Sequence, residues 1–133
     1  MARLSVFKGR DARLNKAIFW ILAKQRQLTI YDLWRKLREQ RDFAYVRYHI
    51  VNRRVRALEK HGYIEKSGER KTKAGFIAAL YESTFRAYLA MLLEKIDLED
   101  FVERASDTSI LSVIHAIMYT NSEVSNGKRF LLL

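Results

Sequence analysis

The stretch AYVRYHIVNRRVRALEKHGYIEKSGERKTKAGFIAAL, from Ala44 to Leu80, decides the fold. Its first half predicts a helix over 44–61. With Val51 at the centre of one side and about 100° of rotation per residue, Val55, Leu58, Ala44 and Tyr48 fall on that same side. His49, Arg53, Arg56 and Lys60 fall opposite, with Tyr45, Val46 and Asn52 toward the flanks. Arg47 and Arg54 lie near the edge of the apolar side and are expected to reach outward along their aliphatic stems. Gly62 follows the last turn, where a helix ending in a left-handed residue places glycine. A short strand is predicted over 63–66, a cationic, turn-rich loop over 67–73 and a second strand over 76–83, together a β-hairpin. A helix glued to a core on one side and cationic on the other is suited to a nucleic-acid groove, and the basic loop beside it to a phosphate backbone.

The flanking segments read as support for this unit. Residues 1–10 show no period and are expected to form an N-terminal arm. The first helix is predicted over 11–25, with Leu14, Ile18, Ile21 and Leu22 as its apolar stripe and Asp11 as a cap or first-turn acid. Leu28, Thr29 and Ile30 form a short β-prone run expected to pair at the edge of the hairpin. A second helix is predicted over 31–40, with Leu33 and Leu37 inward, and a polar turn over 39–43. Thr84 is an N-cap for a fourth helix over 85–96, whose residues Tyr88, Leu89, Leu92, Leu93 and Ile96 make a broad apolar stripe. Asp97 caps a short helix through Arg104. A last helix over 109–119, capped by Ser106 or Asp107, is apolar nearly all round, so a partner chain is its expected cover. Residues 120–133 are expected to be a tail.

Composition narrows the class. The chain has 133 residues, about half of them apolar, so it can bury a core without staples. It has no cysteine, which excludes disulfides, thiolate metal sites and cysteine nucleophiles. No window reaches the roughly 18 consecutive apolar residues of a membrane span, and the expected location is the cytoplasm. The net charge of +10 is unevenly placed: residues 1–75 hold 20 Lys and Arg against 7 Asp and Glu, and residues 76–133 hold 5 against 8. A polyanion-binding first half and a second half with another task follow from that asymmetry. The Lys/Arg-rich, Cys-free composition also hints at a thermophilic host.

Helix, short strand, helix, turn, helix, hairpin, helix is the order of a winged helix-turn-helix domain, a mainly α fold with a small β-hairpin wing. VNRRVRALEKHGYI, from Val51 to Ile64, resembles the end of the recognition helix and first wing strand of the MarR- and PadR-like transcription regulators. An apolar residue there precedes a Leu-Glu-x-x-Gly-apolar ending, and Val51, Val55, Leu58, Glu59, Gly62 and Ile64 stand in or near those places. YESTFRAYL, from Tyr81 to Leu89, resembles their second wing strand and following helix: Tyr81 and Thr84 match, while Ser83 replaces the usual apolar residue and Ala87 the usual glycine. The resemblance covers about 11–96 and implies a dimeric DNA-binding regulator, bacterial or archaeal. It places the recognition helix in the major groove and the wing on the minor groove or backbone. The expected organisation is an arm over 1–10, a DNA-binding domain over 11–83, C-terminal dimerising helices over 84–119 and a tail over 120–133.

The candidate site follows from side-chain chemistry. Arg53 and Arg56 present planar forks suited to guanine O6 and N7 or to phosphate oxygens, and Asn52 suits adenine. Tyr45, Val46 and His49 lie early on the exposed side, where recognition helices meet base edges. Lys60, Arg70, Lys71 and Lys73 are backbone candidates, the last three from the wing. The expected partners are double-stranded DNA and a second copy of the chain, joined through 85–96 and 109–119. Two alternatives stay open: a chromatin-like nucleic-acid binder without base readout, and a winged helix used for protein assembly. No enzyme, metal or cofactor is expected. His49 and His61 lack a carboxylate at metal-ligand spacing, His115 sits among Ile114, Ala116 and Ile117 as a core residue, and the acids at 97, 99, 100 and 103 read as helix-start groups on a solvated face. The sequence carries no Gly-rich phosphate loop, HExxH or nucleophile elbow.

Overall fold

A computed structural model describes residues 4–125, with side chains through Tyr119. The chain divides into two units, one ending at Lys95 and one starting at Ile96. The first is mainly helical with one two-stranded antiparallel sheet, in the order α1 (Ala12–Gln25), α2 (Ile30–Arg38), α3 (Tyr48–Lys60), β1 (Ile64–Lys71), β2 (Ile77–Ser83) and α4 (Phe85–Lys95). This is the winged helix-turn-helix arrangement. The second holds α5 (Leu98–Arg104) and α6 (Asp107–Ser125). The tail expected over 120–133 begins as the end of α6, and 126–133 lie outside the described residues.

The core forms where three helical stripes meet. Ile18, Phe19 and Leu22 of α1, Leu33 and Leu37 of α2, and Val51, Val55 and Leu58 of α3 are all but fully buried. Ile64 and Tyr81 close it from the hairpin. Burial pushes the Tyr81 phenol above its ordinary range, with the nearby Arg56 charge opposing the shift. The segment expected to be an arm contributes to this core instead. A 3₁₀ turn over Ser5–Phe7 buries Val6 and Phe7, and the Phe7 ring meets Phe19 edge-on at 5.8 Å between centroids.

Side chains, rather than pattern, set several helix ends. Thr29 caps α2, its Oγ1 accepting from the Asp32 N–H at 3.1 Å, so only Leu28 of the expected β run pairs with the hairpin. That residue exchanges two backbone hydrogen bonds with Tyr81, at 3.1 and 2.8 Å. Asp11 precedes α1 without capping it; its carboxylate binds Arg54 instead. The start of α3 departs most from expectation, at Tyr48 rather than Ala44. Two α2 side chains take the carbonyls that an earlier start would need. Trp34 Nε1 donates to the Val46 carbonyl at 2.9 Å, and Arg38 Nε donates to the Ala44 carbonyl at 3.3 Å. Those oxygens would otherwise accept from Ile50 and Tyr48 along the helix.

The end of α3 falls where the glycine predicts. Gly62 has φ +83°, the Tyr63 N–H donates to the Leu58 carbonyl at 2.9 Å, and the Gly62 N–H donates to Glu59 at 3.0 Å. This is a Schellman closure. Thr84 locks the same corner: its hydroxyl donates to the Gly62 carbonyl at 2.6 Å and accepts from the Ala87 N–H at 3.4 Å. The α4 helix then lies on the core through Ala87 and Ala90, both buried, and leaves Tyr88, Leu89 and Leu92 exposed. It therefore belongs with the first unit, although a boundary after 83 was expected.

The hairpin is longer than expected. Most of the predicted 67–73 loop is strand, because Ser67 and Gly68 form a bulge where the register shifts between Lys66 and Gly68 rather than a turn. The chain reverses over 72–76, where Thr72 Oγ1 accepts from the Phe76 N–H at 3.1 Å and Gly75 adopts φ +87°. In the second unit, Asp97 caps α5 by accepting from Glu99 and Asp100 at 3.0 and 3.2 Å, and Ser106 caps α6 by accepting from Ser109 at 3.2 Å. No helix is long and apolar enough among the described residues to cross a membrane.

Chemical denaturation should rank three substitutions. Leu58→Ala is expected to cost roughly 2–5 kcal/mol as a core cavity. Gly62→Ala should cost about 1–2 kcal/mol, since the left-handed backbone resists it and the added Cβ would meet Arg86 Nη1 at 3.3 Å. Trp34→Phe should cost about 1 kcal/mol through the lost bond to Val46, and amide exchange at Ile50 should change with it.

Candidate nucleic-acid interface

The exposed side of α3 is set by its buried side. With Val51, Val55 and Leu58 turned inward, His49, Arg53, Arg56 and Lys60 are left in solvent on the opposite side. Asn52 lies half-buried at the flank. Arg56 is tied to its own helix: its Nε donates to Asn52 Oδ1 at 3.4 Å and its Nη1 lies 3.9 Å from Glu59. Arg53 and Lys60 make no ion pair among the described residues. Arg53 thus presents a guanidinium fork with all of its donors available to an incoming acceptor.

Two expected base-contacting residues are not on the helix. The carbonyl capture by Trp34 and Arg38 leaves Tyr45 and Val46 in the turn that leads into α3. Val46 is half-buried and packs on the core. Tyr45 is 95% exposed, at the entrance to the helix rather than on its face. Sequence reasoning also passed over Arg47, which occupies the exposed N-cap position of α3. Its place next to the first helical N–H groups combines a fixed cation with the positive end of the helix dipole. The visible signal was its poor fit to the apolar stripe. Arg54, which fits equally poorly, turns the other way and pairs with Asp11 at 2.5 Å.

The wing candidates separate as well. Arg70 and Lys71 stand in β1 and not in a loop, and Lys73 lies at the hairpin tip. Arg70 Nη2 bonds Asp32 Oδ2 at 2.6 Å and so ties the hairpin to the first turn of α2. Half of its side chain is exposed, and the bond costs it one donor direction rather than its reach. Lys71 and Lys73 are exposed and unpaired among the described residues. The tip also carries Phe76 and Ile77, 73% and 69% exposed, an apolar element no sequence pattern marked. Together the α3 face, Arg47 and the wing offer hydrogen-bond forks and point charges around an open surface, which is chemistry for polar recognition. Among the described residues no group of three His, Asp or Glu side chains is placed to hold a metal ion.

No family model matches the chain, and no curated protein matches it in sequence. Among solved structures, the fold is similar to the crystal structure of a "putative transcriptional regulator" from Thermoplasma acidophilum, at 13% identity and a TM-score of 0.41, over 73% of this chain and all of that one.

Proposed function

We propose that the chain is a sequence-specific, double-stranded-DNA-binding transcription regulator that acts as a homodimer. One observation carries the reading: α3 buries three residues completely and turns Arg53, flanked by His49, Arg56 and Lys60, toward solvent beside a basic hairpin. A helix of this width fits the major groove, where an unpaired arginine fork matches guanine O6 and N7. In that placement Asn52 and Arg53 read bases. Arg56, Lys60 and Arg47 meet phosphates, and Arg70, Lys71 and Lys73 bring the wing to the backbone or minor groove. The uneven charge of the chain, positive only in its first part, supports the same reading.

The apolar surfaces supply the argument for a dimer. Leu111, Ile114 and Met118 form an i, i+3, i+7 stripe on α6, and all three are exposed, as are Leu89 and Leu92 on α4. A monomer in water leaves few contiguous apolar surfaces of this kind uncovered. A two-fold pair bound to DNA places its recognition helices about 34–36 Å apart, one turn of the duplex, and calls for a pseudo-palindromic site.

Selection from random duplexes at about 150 mM salt is the decisive experiment. An enriched inverted repeat is expected, and Arg53→Ala should weaken binding to it by roughly 10- to 100-fold and relax one base position. Lys71→Ala or Lys73→Ala should weaken all sequences alike and shallow the salt dependence by about one unit. Binding without an enriched motif would favour a chromatin-like role, and absence of binding at low salt would leave an assembly module. Sedimentation equilibrium should show a dimer that Ile114→Glu converts to monomer; an unchanged mass would remove α6 from the interface.

A further inference from the structure

The tip of the hairpin is closed by three hydrogen bonds. The Thr72 N–H donates to the Phe76 carbonyl at 2.7 Å, the Gly75 N–H to the Thr72 carbonyl at 2.9 Å, and the Phe76 N–H to Thr72 Oγ1 at 3.1 Å. Both backbone groups of Phe76 are therefore engaged, and the residue is held on a fixed turn. Its ring is left in solvent: Phe76 is 73% exposed, and Ile77 beside it 69%. Turn positions are ordinarily polar, because side chains there meet water. Two consecutive bulky apolar residues on a projecting tip are not the scattered single residues of an ordinary surface, and they mark a contact site.

What surrounds the ring narrows the partner. From Arg70 to Tyr81 the chain carries three cations and no acid. Lys71 stands directly opposite Ile77 in the register and so shares its face of the sheet, and Lys73 lies in the turn. Both lysines are exposed. Arg70 sits on the other face, where its bond to Asp32 at 2.6 Å fastens the hairpin to α2 and stiffens the arm behind the tip. No part of the described chain closes over the turn: a Cβ placed on Gly75 meets no atom within 4 Å. An apolar point ringed by cations fits a partner with an anionic rim and an apolar interior. A stack of base pairs between two phosphate backbones has that chemistry. A lipid surface shares it, but two side chains are a small anchor for a membrane, and the exposed cations of α3 lie in the same unit as the tip.

We propose that Phe76, backed by Ile77, is a wedge that enters the minor groove, slides between two base pairs and bends the duplex toward its major groove. The proposal deepens the DNA-binding reading and rests on it. Lys71 and Lys73 meet phosphates beside the opened step. The locked turn holds the ring in place before binding, so little ordering remains to be done when it inserts. Sequence preference follows from deformability. A TA or CA step unstacks easily and an A-tract resists, so the tip selects base pairs that α3 does not touch.

Two duplexes of about 30 base pairs and the same mixed sequence test this on the full chain, one intact and one opened by a central mismatch. At about 50 mM salt the backbone contacts bind both. The mismatch removes most of the unstacking cost, so the wild-type chain is expected to bind the opened duplex roughly tenfold or more tighter than the intact one. Phe76→Ala removes the ring and keeps every hydrogen bond of the turn; it should bring that ratio close to one, and Phe76→Leu should retain part of it. Lys71→Ala should weaken both duplexes alike. Energy transfer between dyes on the two duplex ends should rise with the wild type and not with Phe76→Ala. Equal affinity for the two duplexes overturns the wedge and leaves the regulator reading standing. A mismatch preference that survives Phe76→Ala also overturns it, since another element then enters the step. Binding to neither duplex removes both readings. Capture by phosphatidylglycerol vesicles that Phe76→Ala abolishes, with duplex binding untouched, overturns the wedge in favour of a lipid surface. Because the duplexes are of mixed sequence, failure to find an enriched inverted repeat leaves this result unaffected.

Discussion

Everything in the first unit depends on burying one stripe of α3. Val51, Val55 and Leu58 lie against Ile18, Phe19 and Leu22 of α1 and Leu33 and Leu37 of α2. Each such side chain contributes about 1.5–3 kcal/mol by leaving water, so rotation of α3 about its axis is not available to it. The opposite side is then decided by geometry alone. At 3.6 residues per turn, turning three apolar residues inward turns His49, Arg53, Arg56 and Lys60 outward, and the cationic surface is a by-product of the core.

The hairpin and α4 are fastened to the same helix. The Schellman closure at Gly62, the Thr84 hydroxyl on the Gly62 carbonyl and the Arg86 guanidinium on the His61 carbonyl converge on one corner of a few residues. Asp32 and Arg70 fasten the wing to α2 from the other side. These are partly exposed polar contacts worth little individually, but they fix direction where the apolar core fixes only position.

The α3 helix starts four residues later than its periodic pattern predicts. Ala44, Tyr45 and Val46 have nothing in their side chains that forbids a helix, and the periodic pattern runs through them. The carbonyls of Val46 and Ala44 are taken by Trp34 and Arg38, residues 12 and 6 positions away in the chain. The bulge at Ser67 and Gly68 misleads in the same manner: the residue types of a turn also suit a bulge, and only the partner strand distinguishes them. In α4 the core takes Ala87 and Ala90, while Leu89 and Leu92 of its broad apolar stripe stay exposed.

By itself, the sequence determined the helical elements of the core, their apolar stripes, the glycine end of α3, the caps at Thr84 and Asp97, and the placing of positive charge in the first part of the chain. All of these rest on spacing or on interactions within a few residues, which a linear pattern records. Tertiary structure alone decided that Tyr45 and Val46 leave the helix and that Arg47 stands at its N-cap position. It also decided that Arg54 turns inward to Asp11, that Arg70 is engaged by Asp32, and that Val6 and Phe7 belong to the core. The physical reason is common to these cases: an arginine, a carbonyl or a phenylalanine has more than one acceptable environment, and the choice is made by a partner far away in sequence that folding brings within a few ångströms.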